Sequence, residues 1–419
     1  MKLKTKYIID KFVFFSLIFI CLSIFLPPFF KSLAITFLAL STLCTFLTKT
    51  YVLKPLFDKK ILLFLIFFCL HIIGVFYSSN KDSALFDLQI KLPMLILPLI
   101  FIFLPKSFIT KDKLWQYALS IIAGLTITIF YCFSYGIVRA VSNSLPILPE
   151  IIYTKLSANF HPSYLSLFAA IGLVLTYKIP LKNIFTHIKN TGLIKSIIIV
   201  LISIFLIMLN SRTGFIVMVI SYLWILIDMF FVSKRKVLTI STALIVSLSL
   251  VIVLSTDILS QRYNNAINNI GQNDNIMPEQ SSMSQRNFIY SNSLNLISEN
   301  IVFGVGTGDV KSTFEKLYER ENVHFQSYLN AHNQYLQTTI ALGLVGLLIL
   351  LSLFFFPMIK MIKEKEFFLL TIFILIGFSF LFESMLERNM GTYFFALIYV
   401  LSISYLYKEN QSKLEKTQS

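Results

Sequence analysis

The sequence predicts an all-α polytopic membrane protein with about twelve transmembrane helices, and three observations carry that expectation. Of 419 residues, 56% are hydrophobic and only 14% charged, with a mean hydropathy of +0.76, whereas a water-soluble domain holds about a quarter charged residues. Apolar runs recur at the roughly 20-residue length that a helix needs to cross a hydrocarbon core of about 30 Å. The 42 Phe and 19 Tyr suit a chain whose bulky side chains face acyl tails and whose Tyr sit at headgroups. An ordinary water-soluble enzyme is thereby excluded. The formal charge of +15 does not make a nucleic-acid binder, because the basic residues are scattered between apolar runs rather than gathered on one solvated face.

Runs bounded by charge, Pro or Asn place the spans at 12–30, 32–48, 60–77, 85–104, 114–138, 161–179, 194–210, 213–232, 237–256, 334–356, 367–382 and 390–407. The first follows Lys2, Lys4 and Lys6 like a signal peptide, but its apolar stretch is too long and lacks a small-residue cleavage site, so it reads as a retained helix. The fourth is interrupted by Pro93 and Pro98, which a membrane helix tolerates when neighbours satisfy the freed carbonyls. With the N-terminus in the cytoplasm, the inside segments hold 24 of the 36 Lys and Arg and 8 of the 21 acids, a net +16 against −1 outside. That asymmetry is the positive-inside signal, and it predicts both termini in the cytoplasm.

Six of the seven Arg (139, 212, 262, 286, 320, 388) fall outside, against the trend set by Lys. The expected outer loop between the ninth and tenth spans, 257–333, is far longer than the other connections, dividing the chain into helices 1–256, a loop domain 257–333, and helices with a cytoplasmic tail, 334–419. Loops of that length are usually functional or disordered. Within it, Asn264 to Asn275 reads as irregular, whereas 284–300 and 310–321 have helical spacing, the latter with Phe314, Leu317 and Tyr318 on one side. Gly304-Val305-Gly306-Thr307-Gly308-Asp309 between them lacks the strand and the βαβ unit of a dinucleotide fingerprint and predicts a backbone turn requiring φ > 0. The four Cys (21, 44, 69, 132) all lie within spans, so neither a disulfide framework nor a Cys-based metal site is implied.

Candidate chemistry gathers at the outer boundary. His332, in the sequence Asn330-Ala331-His332-Asn333-Gln334, opens the tenth span, and an imidazole there suits a base near neutral pH, or alternatively an interfacial His satisfied by loop carbonyls. The tight turn Asn210-Ser211-Arg212-Thr213-Gly214 holds Arg212 at the membrane surface, where a guanidinium is costly unless paired or facing water. Arg286 lies in the long loop. Arg388 lies between the last two spans, with a Glu–Arg surface pair as the plain alternative. Guanidinium forks bind phosphate oxygens in bidentate, charge-assisted fashion, so this set implies an anionic, phosphorylated substrate. His161-Pro162-Ser163-Tyr164 opens the sixth span at the same boundary and would supply further contacts through His161 and Tyr164, or serve as a helix start with an interfacial Tyr. His324 and His332 have no carboxylate between them and make no zinc motif, and His71 and His187 read as structural.

The order of these features, a turn of SRTG type, a loop Arg followed by a Gly-rich segment, and a loop-closing A-H-N-x-x-L, resembles the O-antigen ligase family, related to Wzy-type O-antigen polymerases. The motif matches cover 210–214, 284–308 and 330–343, with weaker ones at 161–166 and 383–391. The resemblance implies a GT-C-like fold and a metal-independent, inverting glycosyltransferase of the bacterial inner membrane, requiring no cofactor. It implies transfer of a glycan from undecaprenyl pyrophosphate, on the periplasmic side, to a hydroxyl acceptor such as lipid A core. It carries over Arg212 and Arg286 as pyrophosphate ligands and His332 as the base or acceptor-positioning residue, with Arg388, His161, Tyr164 and Asn333 as substrate contacts. Polymerases and protein O-oligosaccharyl ligases share the outline. A flippase or secondary transporter is the alternative from another class, and it requires two similar halves and broken helices near the midplane, which the sequence does not display.

Overall fold

The computed structural model describes residues 2–49, 51, 59–233, 282–323 and 330–418. These residues fold into α1 (Lys2–Leu22), α2 (Pro28–Leu47), α3 (Lys59–Tyr77), α4 (Lys81–Lys91), α5 (Pro93–Phe103), α6 (Lys111–Ser142) and the short turns α7 (Ile147–Glu150) and α8 (Tyr153–Leu156). Then follow α9 (Pro162–Lys178), the short α10 (Leu181–Ile184), α11 (Thr191–Met208), α12 (Arg212–Ile227), α13 (Ser282–Glu299), α14 (Val310–Arg320), α15 (Gln334–Lys363), α16 (Phe367–Phe380) and α17 (Asn389–Gln418). Among the described residues there are no strands, and nine stretches are long and apolar enough to cross a membrane. The spans expected at 161–179 and 367–382 are helical as α9 and α16 but are shorter, at 17 and 14 residues. The ninth expected span, 237–256, lies outside the described residues, as do Arg262, His324 and the Asn-rich stretch 264–275.

The chain is a polytopic helical membrane protein arranged around α9. That helix is apolar on every side, and a helix without a polar face has to be enclosed. It is buried at all but three of its positions, packed by α6, α11, α12 and α16. Gly214 lets α12 approach so closely that a Cβ there would lie 2.5 Å from the Ser166 hydroxyl.

Two spans are broken. The expected fourth span divides at Leu92 into α4 and α5, with Pro93 at the start of α5, where its missing N–H costs no helical hydrogen bond. Pro98 remains inside α5. α15 kinks at Gly343, whose φ of +63° is left-handed. The carbonyls freed by that kink are taken up by the Gly-rich segment expected to form a turn: Val305 and Gly306 donate N–H groups to Ile340 and Ala341 at 2.8 and 2.9 Å. Gly304 and Gly306 do have positive φ, +70° and +104°. The segment continues into the bundle, where the Thr307 hydroxyl donates to the His71 carbonyl at 2.8 Å and the Asp309 carboxylate accepts the N–H groups of Ser79 and Asn80 at 2.6 and 2.8 Å. α14 then buries Phe314, Leu317 and Tyr318. The loop after α13 is thus part of the bundle, and it pairs the Ile340 and Ala341 carbonyls where hydrocarbon would offer no substitute partner.

Gly343→Ala should be severely destabilising, since its Cβ would sit 2.1 Å from the Val302 carbonyl at a φ that alone costs about 1–3 kcal/mol. Gly192→Ala, with nothing within 4 Å of the new methyl, is the control. Thermal unfolding in detergent should show a large fall in Tm for the first and none for the second.

Candidate functional site

The turn between α11 and α12 is built by local sequence. α11 ends on Asn210 in the left-handed conformation, φ +42°, which Asn adopts more easily than most residues. Ser211 then caps α12 by accepting the N–H of Gly214 at 3.3 Å. Arg212 is therefore fixed on the first turn of α12. α9 starts differently, without a side-chain cap, His161 preceding Pro162 at the first helical position. At α15 the capping residue is Asn333, whose side-chain oxygen accepts the N–H groups of Tyr335 and Leu336.

His332 stands one residue before that cap, with φ +47°. Its strained backbone is pinned from both sides: its N–H donates to Asn330 Oδ1 at 2.9 Å, and its carbonyl accepts the Tyr290 hydroxyl of α13 at 3.1 Å. Strain of this kind persists only where surroundings over-determine it, and it clusters at working sites.

Glu383, in the turn between α16 and α17, joins the pieces. Its Oε1 accepts from Arg286 Nη2 of α13 at 3.0 Å and from the Ser163 hydroxyl of α9 at 3.1 Å, and its Oε2 lies 3.8 Å from His332 Nδ1. The last separation is within ion-pair range and longer than a hydrogen bond. Burial pushes the carboxyl upward, but His332, the Arg286 guanidinium and His161 outweigh it and hold Glu383 below the usual carboxylate range. The turn itself is tied down by the Tyr164 hydroxyl donating to Ser384 O at 3.3 Å and by the Leu386 N–H donating to Gln334 Oε1 at 2.7 Å.

The resulting cavity, about 160 Å³, is lined by Tyr153, His161, Ser163, Ser211, Arg212, Thr213, Gln285, Arg286, His332 and Glu383. The N-terminal ends of α9 and α12 open into it, adding partial positive charge to two guanidinium groups. Such a site suits an anion with a proton-accepting ring beside it.

Of the residues singled out from sequence, Arg212, Arg286, His332 and His161 come together here. Asn333 is occupied as a helix cap, Tyr164 is 2% exposed beneath the cavity, and Arg388 lines a second cavity shared with His161 and Tyr164. Arg388 pairs with neither neighbouring Glu, because Glu387 is bound to Lys91 at 3.2 Å and Glu383 to Arg286. Two further Arg have carboxylate partners of their own, Arg139 with Glu150 and Arg320 with Glu321. Glu383 is the residue that sequence reasoning passed over as a site member. Its signal is an acid set directly after an apolar run.

Removing the carboxylate should expose the balance it holds. Glu383→Ala leaves the Arg286 guanidinium without its counter-charge and should cost about 3 kcal/mol, the lower end for breaking a buried pair. Because the folded-state carboxyl is depressed, its contribution is present above the unfolded-state value and disappears as pH falls through the folded one. The stability gap between wild type and Glu383→Gln, measured by chemical denaturation across acidic pH, should therefore close as the pH drops.

Comparison with known families gives one match in this region, and a comparison with curated proteins gives none. Residues 197–351 match the family described as O-Antigen ligase. That stretch includes most of α11, all of α12, α13 and α14 and the first part of α15, and so Arg212, Arg286 and His332. Over residues 197–351 the chain is therefore similar to the O-antigen ligase family, and this match supports a family assignment for that stretch.

Proposed function

We propose that the chain transfers a glycan from undecaprenyl pyrophosphate to a hydroxyl acceptor, lipid A core in particular, at the periplasmic face of the bacterial inner membrane, with both termini in the cytoplasm. The observation carrying this proposal is the meeting of Arg212, Arg286, His332 and Glu383 in one cavity at the N-terminal ends of helices. The match of residues 197–351 to the O-antigen ligase family supports glycosyl transfer of this general kind.

In the proposed reaction the acceptor oxygen forms a bond to the anomeric carbon while the bond from that carbon to the pyrophosphate oxygen breaks. The departing electron pair goes to the pyrophosphate, whose growing charge Arg212 and Arg286 stabilise in a partly dry site. The guanidinium groups supply the electrostatic role that a divalent cation fills in other transferases. His332 takes the acceptor proton, and attack opposite the leaving group inverts the anomeric centre. Arg286 is shared between Glu383 and the phosphate. When it turns toward phosphate, Glu383 is released to hold the imidazolium that forms on His332.

Polymerisation and protein glycosylation use the same donor chemistry with other acceptors. A transporter would use broken helices to line a substrate path. The breaks at Leu92 and Gly343 are not of that kind at the latter position, because the chain's own amides from Val305 and Gly306 fill the freed carbonyls.

Full-length protein given an undecaprenyl-pyrophosphate-linked glycan and a lipid A core acceptor should form product in excess chelator. Arg212→Ala and Arg286→Ala should each lower kcat by about 10²–10³-fold, and His332→Ala by about 10²–10⁴-fold. Unchanged turnover in all three folded variants would reject the site. For topology, a cysteine replacing the exposed Ser298, in a chain cleared of its own cysteines, should react with a membrane-impermeant thiol reagent from the periplasmic side. Labelling only from the cytoplasmic side would reverse the orientation.

A further inference from the structure

Beside the polar cavity lies a second, much larger one of about 710 Å³, and His161 lines both. Its walls come from the turn between α1 and α2, the middle of α6, the residues preceding α9 and the start of α17. Most of that lining is apolar, including Phe25 and Ile127. Ile127 is 65% exposed on the outside of α6, so the cavity opens sideways where the bundle meets lipid.

One wall does not fit an apolar purpose. Lys31, on the first turn of α2, is 4% exposed and lines the cavity, and its ammonium has no hydrogen-bond or ion-pair partner among the described residues. A lysine whose stem is buried and whose ammonium meets a mostly apolar cavity without a counter-charge is costly, which makes it a candidate contact for an anion. Arg388 lines the same cavity. Two further polar atoms in its lining residues, His161 Nδ1 and Asn389 Oδ1, are buried without a hydrogen-bond partner. The cavity thus combines an apolar body, lateral access, and a group of cationic and polar atoms with unused bonding capacity. Its volume lies within the range of about 300–1,000 Å³ usual for pockets that enclose small ligands.

We infer that this cavity seats the acceptor, an amphiphile whose headgroup carries a phosphate or pyrophosphate, with Lys31 as its anion-binding contact. The assignment rests on the glycosyl-transfer reading of the neighbouring cavity. The donor's pyrophosphate already has Arg212 and Arg286, and its isoprenoid tail has no use for a buried ammonium. A separate anion site next door therefore belongs to the second reactant. His161 is near enough to His332, Glu383 and Arg388 for their charges to act on it, which sets the acceptor beside the groups that would deprotonate its hydroxyl. A phosphorylated acyl glycolipid and a second polyprenyl-pyrophosphate-linked glycan both present this chemistry. A protein hydroxyl does not.

The test uses full-length protein in phosphatidylcholine nanodiscs, as wild type, Lys31→Met and Lys31→Arg. Lys31→Met removes an unpaired buried charge and should fold at least as stably as wild type. In the transfer assay it should raise the acceptor KM about tenfold, the worth of one charge-assisted hydrogen bond, and leave the donor KM unchanged. Lys31→Arg should stay near wild type, and an acceptor stripped of its phosphates should not distinguish Lys31→Met from wild type. Comparing KM for a phosphorylated acyl glycolipid and for a polyprenyl-pyrophosphate glycan identifies which of the two is the acceptor. An effect on the donor KM, no effect on the acceptor KM, or efficient turnover of a protein acceptor indifferent to Lys31 would overturn the assignment. Native mass spectrometry supplies an independent readout, in which wild type should retain phosphatidic acid or undecaprenyl phosphate over diacylglycerol and Lys31→Met should not. Loss of that preference in Lys31→Met, with no product from wild type under any condition, would reject glycosyl transfer and leave the anionic-lipid site standing. Equal retention of charged and neutral lipid would reject the site whatever wild type makes.

Discussion

The carboxylate of Glu383 is the point on which the site depends. It touches Arg286 from α13, Ser163 from α9 and, at ion-pair distance, His332 before α15, so three segments far apart in sequence are held by one charge. A nearly buried carboxylate is tolerable only because cations surround it, and the same cations are tolerable near the membrane only because the carboxylate is there. Neither side of this arrangement is stable alone. The turn carrying Glu383 is therefore fastened by its neighbours as well, through Tyr164 to Ser384 and Gln334 to Leu386.

Backbone satisfaction imposes a second constraint, and it links the loop to the bundle. Kinking α15 at Gly343 releases the carbonyls of Ile340 and Ala341 within the bundle, and the amides of Val305 and Gly306 accept the task of pairing them. The segment that does so is also fastened to the end of α3 and the start of α4 through Asp309, Ser79 and Asn80. α13 precedes this segment and α15 follows it. Arg286 and His332 thus reach the site from opposite ends of a stretch whose middle is locked into the helices, which gives the guanidinium and the imidazole a rigid mount rather than a loose loop.

Much of this was legible in the sequence, for reasons that differ from element to element. Apolar run length located α1, α2, α3, α6, α11, α12, α15 and α17 because a bilayer fixes how long such a run must be. Helical spacing located α13 and α14, and the glycine pattern announced the positive φ of Gly304 and Gly306. Arg212 stood out because a guanidinium is costly at the membrane surface, and His332 because an imidazole at the head of a span suits a base near neutral pH. The rest depends on contacts between distant residues. Pro93 and Pro98 looked alike as interruptions, yet Pro93 starts a new helix and Pro98 sits inside it, and the kink at Gly343 is meaningful only opposite Val302. Glu383 and Arg388 appeared as near neighbours fit to pair. In three dimensions Glu383 turns to Arg286, Glu387 to Lys91, and Arg388 is left to another cavity.

The distribution of charge between the two cavities has its own logic. In the small cavity the Glu383 carboxylate offsets the Arg286 guanidinium, which moderates the positive potential there. In the large cavity no described acid pairs with Lys31, whose ammonium faces a mostly apolar space without a counter-charge. A transferase that must bring two bulky substrates to one carbon needs each held by its own headgroup, or the tighter binder would occupy both places. A balanced site permits a leaving group to depart once the reaction is over. An unbalanced one is suited to the lipid headgroup inferred for it, whose tail's hydrophobicity would raise local concentration but do nothing to orient the hydroxyl. Orientation then falls to the charge, and Lys31 sits on the wall of the cavity that His161 shares with the polar site.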